Sequence, residues 1–439
     1  MYDTIYLLAM QVLPYPDFAQ ATKIVARPTD TDAAARREKV AAMLAAVQNE
    51  GDAAVRLLTA RFDAFVPEHL ELNSTELEAA EALVPAELQA AIRQAYANIR
   101  AFHEIQREEL PPVETLPGVL CWRKSLPIER VGLYVPGGTA PLFSTVLMLG
   151  VPAQIAGCRE VVLCTPPQRD GSVHPAILFA AQLCGIRRIF RIGGVQAIGA
   201  MAFGTASVPR VWKIFGPGNA WVTTAKQLVS LEDVAIDMPA GPSEVAILAD
   251  ASANPRFVAA DLLSQAEHGA DSQVLLVTDQ ADLIAAVQVE LEKQLAVLPR
   301  RALAEAALDN SKALLVKDLL EGMAWINAYA PEHLLLQVEH PAYWAAQVVN
   351  AGSVFLGSYT PESAGDYASG TNHTLPTAGH ARAYAGVSVD SFVRKVTFQQ
   401  ISREGLERLG PTVVTMARAE GLDAHAQAVT LRLTKLLNV

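Results

Sequence analysis

From Val131 onward, short apolar runs alternate with Ala-rich stretches of helical spacing, and a Gly or Pro closes each run. VGLYV (131–135), EVVLC (160–164), RIFRI (188–192) and VWKIF (211–215) follow this pattern. It begins again at EVAILAD (244–250) and continues through QVLLV (273–277), ALLVK (313–317) and GSVFLG (352–357). Runs that are apolar throughout belong to strands covered on both faces, and helical crossovers between them make a parallel sheet. The expected fold class is therefore α/β: two Rossmann-like parallel-sheet units with helices on both faces, a helical N-terminal region and a small helical C-terminal tail. Residues 32–47 and 85–102 carry helical periodicity, within a helical stretch spanning about 31–110. After about Val387 the strands are expected to stop, with 396–409, 411–420 and 423–437 reading as short amphipathic helices. Such a tail cannot bury its apolar faces alone and must pack on the rest of the chain or on a partner subunit. The expected organisation is a helical region over 1–130 contributing to the first α/β domain, an inserted α/β domain over 131–243 with glycine-rich turns, an α/β domain over 244–387, and a tail over 388–439 that exchanges in a dimer.

Composition narrows the function classes. With 51% hydrophobic and 18% charged residues the 439-residue chain has a globular enzyme's profile. A net charge of −11 and the lack of a Lys/Arg run exclude nucleic acid and anionic membranes as principal partners and favour a small molecule. The apolar stretch 5–13 is interrupted by Gln11 and has no basic flank, so it predicts no signal peptide, and no uninterrupted apolar run reaches the roughly 18 residues of a membrane span. Cys121, Cys158, Cys164 and Cys184 show no C-x-x-C spacing and read as reduced thiols of a cytoplasmic protein.

Three segments carry candidate chemistry. In DLLSQAEHGADSQ (261–273) the i, i+3 spacing puts Gln265 and His268 on one face at a helix end, with Gly269 as a candidate C-terminal cap. An amide oxygen and an imidazole there can grip one ion, although a histidine at a helix end also caps without any ligand. In YAPEHLLLQ (329–337) Glu332 and His333 are adjacent behind Pro331, where an irregular backbone lets both face one pocket, and an acid beside a base suits successive proton transfers. The same PEHL tetrapeptide at 67–70 stands in the helical region without chemical company. SAGDYASGTNHTLPT (363–377) is too polar for a core and reads as a functional loop, with Asp366 a candidate carboxylate ligand and His373 a candidate substrate contact.

Glycine-rich turns follow the predicted strands at 134–141, 191–200, 214–221 and 237–244. Glycine lets backbone amides approach a phosphate, and the next helix N-terminus adds a favourable dipole; tight βα turns use the same glycines with no ligand. None is the G-x-G-x-x-G fingerprint.

In this order, VGLYVPGGTAPL, GGVQAIGA, FGPGN, DMPAGPSE, DLLSQAEHG, PEHL, SAGDYASGTNH and GLDAH (421–425) together resemble the histidinol dehydrogenase family over nearly the whole chain. The resemblance implies a zinc- and NAD-dependent four-electron oxidation of L-histidinol through histidinal to L-histidine, the last steps of histidine biosynthesis. It implies zinc ligation by Gln265, His268, Asp366 and His425, a set without cysteine that suits zinc. It implies NAD contacts from Tyr134, Gln196 and Asn219. Ser243, His373 and Glu420 are implied around the substrate, together with the zinc-binding side chains and His333. It further implies a homodimer in which the tail bringing His425 comes from the other subunit. His333 is the expected base and Glu332 the expected activator of the water that hydrates the aldehyde, while zinc positions the substrate's nitrogens. The alternative is a paralogous zinc/NAD dehydrogenase of another polyol or sulfonated alcohol. A zinc hydrolase, with Glu332 activating a metal-bound water, leaves the glycine-rich strand ends unexplained.

Overall fold

The computed structural model describes residues 10–28, 30, 32–63, 68–107, 110–137, 140–239 and 241–436. The apolar residues 5–9, Thr31, Pro67, Gly138, Thr139 and Ala240, which enter the sequence expectations above, lie outside the described residues. The chain forms two compact units: one holds the described residues up to Glu104 together with Ile128–Phe392, the other Ile105–Pro127 together with the chain from Val393 onward.

The first unit contains both expected parallel sheets. One has five strands in the order Arg188–Arg191, Glu160–Thr165, Arg130–Tyr134, Lys213–Phe215, Ala235–Ile236. The other has six, in the order Gln11–Pro14, Lys312–Leu315, Gln273–Thr278, Glu244–Ala249, His333–Gln337, Ser353–Leu356. Every pairing in both is parallel. The apolar runs have their expected cause. In Glu244–Ala249 all six residues are buried, with Val245, Ile247 and Ala249 packing beside Leu262, Val287 and Leu291 on one face. Ala246 and Leu248 pack beside Met323, Trp325 and Tyr329 on the other. The five-stranded sheet divides its residues in the same period-two manner, Val131 and Leu133 in one core and Tyr134, Val162 and Cys164 in the other.

The N-terminal helices are Ala33–Glu50, Asp52–Asp63, Ser74–Leu83 and Ala86–Glu104. Ser74–Leu83 opens with a capping box, Asn73 accepting from Glu76 N while the Glu76 side chain accepts from Asn73 N. Gln11–Pro14 adds an edge strand against Lys312–Leu315.

The second unit departs from the sequence reading. Val393–Ile401 is a strand, not the start of a helix over 396–409, and pairs antiparallel with Val119–Pro127, which also pairs with Val113–Leu116. Val, Thr and Phe recur along VRKVTF, and Phe398 meets Trp122 directly across the ladder with rings stacked 5.5 Å apart. The helix begins only at Arg403, where the Ser402 side chain accepts from Gly405 N at 3.1 Å. It runs unbroken to Ala419 through Pro411, so 411–420 is not a separate helix. It packs on Asp423–Leu436. Among the described residues no helix is long and apolar enough to cross a membrane.

Candidate active site

The helix Pro255–Ala266 starts with proline in its first turn behind an Asn254 cap, and it delivers Gln265 in its last turn. The cap at its other end is Glu267 in right-handed conformation, not Gly269. A Cβ at Gly269 would meet Asp271 Oδ1 at 2.7 Å. The His268 backbone N–H, donating to Gln265 O at 3.2 Å, continues the turn and carries the imidazole beyond the helix. Gln265 is buried, yet neither its amide nitrogen nor its amide oxygen has a hydrogen-bond partner among the described residues. An unpaired buried amide costs free energy unless something else satisfies it, so this side chain fits the role of a cation ligand.

Asp366 sits on the short helix Glu362–Tyr367, and Glu362 stands one turn earlier on the same face. One ligand atom from each of His268, Glu362 and Asp366 lies within 4.8 Å of the others. The chemistry of this set, one imidazole and two carboxylates, fits zinc. Glu362 was not singled out from the sequence; its i, i+4 spacing to Asp366 was the available signal. The His373 ring spans from Asp366 O, 2.9 Å from Nδ1, to Thr145 Oγ1, 3.3 Å from Nε2.

The helix Leu319–Tyr329 ends at Ala330, a non-glycine residue with φ of 53°. That left-handed turn precedes Pro331 and brings Glu332 and His333 to the start of the strand His333–Gln337 with their side chains 3.8 Å apart, Oε2 to Nδ1. Both are buried. Glu332 Oε2 accepts from Glu244 N at 2.9 Å, and His333 Nδ1 faces Glu244 O at 3.2 Å. His333 Nδ1 is also 3.5 Å from Glu362 Oε1, and its Nε2 is 3.5 Å from Asp366 Oδ1. Burial pushes the Glu332 carboxyl up to about 8 against the pull of His333. Burial alone would lower His333, but Glu332, Glu362 and Asp366 together outweigh it and push the imidazole up to about 10.

A cleft with a cavity volume of about 50 Å³ is lined by Gly216, Pro217 and Gly218 from one sheet's strand end, and by Ser243, Glu332, His373 and Thr374 near the other sheet. Beside it, Asp237 Oδ1 accepts from Lys226 Nζ at 2.5 Å and Asp237 Oδ2 from Gly216 N at 2.8 Å, tying the turns at 216–218 and 237–241 together. Glycine is required at 216: φ is +121°, and a Cβ there would lie 2.0 Å from Tyr134 O.

Tyr134 and Gln196 meet through Gly194, whose N–H donates to the Tyr134 hydroxyl at 3.1 Å. Gln196 is buried with both amide atoms unpartnered among the described residues. Burial pushes the Tyr134 phenol up to about 12. Asn219 caps the helix Ala220–Val229, its oxygen accepting from Trp221 N and Val222 N at 3.1 and 3.2 Å, which explains that residue without any ligand. Glu420 and His425 belong to the second unit, at the end of one helix and in the first turn of the next, and both side chains are exposed.

The family model described as histidinol dehydrogenase matches residues 26–433. The histidinol dehydrogenase of Bacteroides thetaiotaomicron is 59% identical over 427 residues, 97% of this chain and 100% of that one. That of Xanthomonas euvesicatoria is 58% identical over 418 residues, 95% of this chain and 97% of the other. The crystal structure of histidinol dehydrogenase from Elizabethkingia anophelis shares 49% identity and a TM-score of 0.93, covering 97% of this chain and 98% of that one.

Proposed function

The chain belongs to the histidinol dehydrogenase family, and from that premise we propose that it oxidises L-histidinol through histidinal to L-histidine with NAD as hydride acceptor and zinc as resident metal. The observation that carries the reading is that an acid and a base, Glu332 and His333, stand together against Glu362 and Asp366, which with His268 form a group able to hold a metal.

Gln265, His268, Asp366 and His425 would hold the zinc, which when bound supplies a fixed positive charge that orients the substrate's imidazole and amino nitrogens. We assign His425 and Glu420 to the site of a partner subunit in a homodimer, in line with a tail whose helices bury little on their own. His333 accepts the hydroxyl proton at Nε2, since Nδ1 is directed at Glu244 O. Glu332 takes a proton from the water that hydrates the aldehyde, and a carboxyl raised by burial is matched to that task near neutral pH. Ser243 and His373 line the substrate side of the cleft. NAD approaches the glycine-rich strand ends near Tyr134, Gln196 and Asn219, within the segment 131–243, while 244–387 supplies the metal and acid/base groups. The four cysteines are unpaired thiols, in keeping with a cytoplasmic location.

The test is NADH formation by the zinc-loaded protein with L-histidinol, counted against histidine. Two NADH per histidine, abolished by chelation and restored by zinc, is the expected result. A zinc-loaded protein that forms no NADH from L-histidinol but does so from another alcohol would replace this reading with the paralogue.

A further inference from the structure

We propose that Arg27 is a positioning residue for the acid/base pair, acting through Glu244 and through the turn that leads into Pro331. The inference rests on the dehydrogenase function proposed above.

Glu332 and His333 take their places from one residue. Glu244 opens a central strand of the six-stranded sheet; its backbone N–H holds the Glu332 carboxylate, and its carbonyl receives the His333 ring. A rotation at Glu244 therefore displaces acid and base together. Its side chain decides whether such a rotation is possible. The carboxylate is buried, accepts from Ala378 N at 2.9 Å, and is gripped by Arg27 through two parallel bonds of 2.8 Å, Nε to Oε1 and Nη2 to Oε2. This fork geometry holds a carboxylate in one plane.

The same guanidinium reaches the other side of the site. Arg27 Nη2 donates to Tyr329 O at 2.8 Å, with Ala330 O at 3.5 Å, and its Cζ stands 4.1 Å from the centre of the Tyr329 ring. Tyr329 is in turn fixed by its hydroxyl, which donates to Gln273 Oε1 at 3.0 Å on the neighbouring strand. Ala330 holds a left-handed conformation that L-residues adopt reluctantly, and it lies two residues before Glu332. Arg27 thus clamps the strand end that both groups bond to against the unfavourable turn that carries them. Neither the ligand set nor the acid/base assignment involves it, and it is 217 residues from Glu244 in sequence.

The test compares wild type, Arg27→Lys, Arg27→Met and the double variant Arg27→Met/Glu244→Gln, all as full-length zinc-loaded protein. NADH formation from L-histidinol and from L-histidinal is measured separately, with bound zinc and melting temperature. Lysine keeps the charge but not the fork, so Arg27→Lys is expected to keep its zinc and melt near wild type while kcat for both substrates falls about tenfold and each KM moves less than about twofold. Misplacement of about 1 Å at a reacting group can cost on the order of a hundredfold, which is the loss expected for the double variant. If Arg27→Met does not fold because it strands the Glu244 carboxylate, the double variant, which buries no unpaired charge, decides. A folded double variant with wild-type kcat on both substrates overturns the proposal, as does a loss of kcat that only tracks lost zinc. A wild type inactive on both substrates overturns the function on which the proposal rests.

Discussion

The two parallel sheets of the first unit present opposite ends to the chemistry. The five-stranded sheet offers the carboxyl ends of its strands, where Tyr134 and Phe215 give way to glycine-rich turns and backbone amides. That is the edge at which open α/β sheets ordinarily bind ligands. The six-stranded sheet instead offers the amino ends of Glu244–Ala249 and His333–Gln337, where Glu244, Glu332 and His333 are buried together with Glu362 and Asp366 nearby. One edge presents main chain and is tied internally by the buried ion pair of Lys226 with Asp237. The other concentrates ionisable side chains whose charges answer one another. On the function proposed above, the first is the binding edge and the second the reactive edge, and perturbing each should leave different traces.

The largest effect is expected at the reactive edge. His268→Ala should lose its zinc and essentially all activity with the fold retained, checked by metal analysis, NADH formation and circular dichroism; stoichiometric zinc with full activity would refute the ligand assignment. Next comes Glu332→Ala, expected to slow histidinal oxidation by about 10²–10⁴ and histidinol oxidation by less, since general acid/base groups contribute on that order. Equal losses in the two single-step assays would strip Glu332 of its separate role.

At the binding edge the trace should be stability and NAD affinity. Lys226→Met leaves Asp237 buried without its partner and should cost about 3–5 kcal/mol, seen as a lowered denaturation midpoint, with KM for NAD raised and zinc retained. If zinc is lost while KM for NAD stays put, the division between the edges fails.

The smallest effect concerns Asp63, which desolvation pushes up to about 6 and whose Oδ2 lacks a partner among the described residues. A carboxyl raised in the folded state binds its proton more tightly there than in the unfolded chain. The folded state therefore loses stability as pH rises from the unfolded value near 4 through about 6. Asp63→Asn should match wild type near pH 4 and exceed it by about 1 kcal/mol at pH 7, after allowing for solvent screening of a partly exposed group. Melting temperatures measured across that range check it; a gap that does not grow with pH would sink the assignment.

Much of the fold was legible because its signals are local. A strand covered on both faces must be apolar throughout, so EVAILA and QVLLV reveal themselves in five or six residues, and the helical periodicity over 85–102 marks the helix Ala86–Glu104. Val393–Ile401 was not legible: its pairing partner lies some 270 residues earlier, and the apolar spacing beyond Val396 also satisfies a helix until Trp122 and Phe398 are seen side by side. Glu362 is not legible from sequence, since a carboxylate at helical spacing usually faces water; only its Oε1, 3.5 Å from His333 Nδ1, shows otherwise.

By itself the sequence determined the two α/β layers, the residue types able to hold a metal, and the presence of an acid beside a base, since these follow from periodicity, composition and short motifs. The tertiary structure alone decided that Glu332 and His333 share a face, that a third carboxylate stands behind them, and that Arg27 grips the strand end they bond to. Those outcomes depend on where backbone from distant parts of the chain is held, and no local pattern encodes the distance between residues 27 and 244.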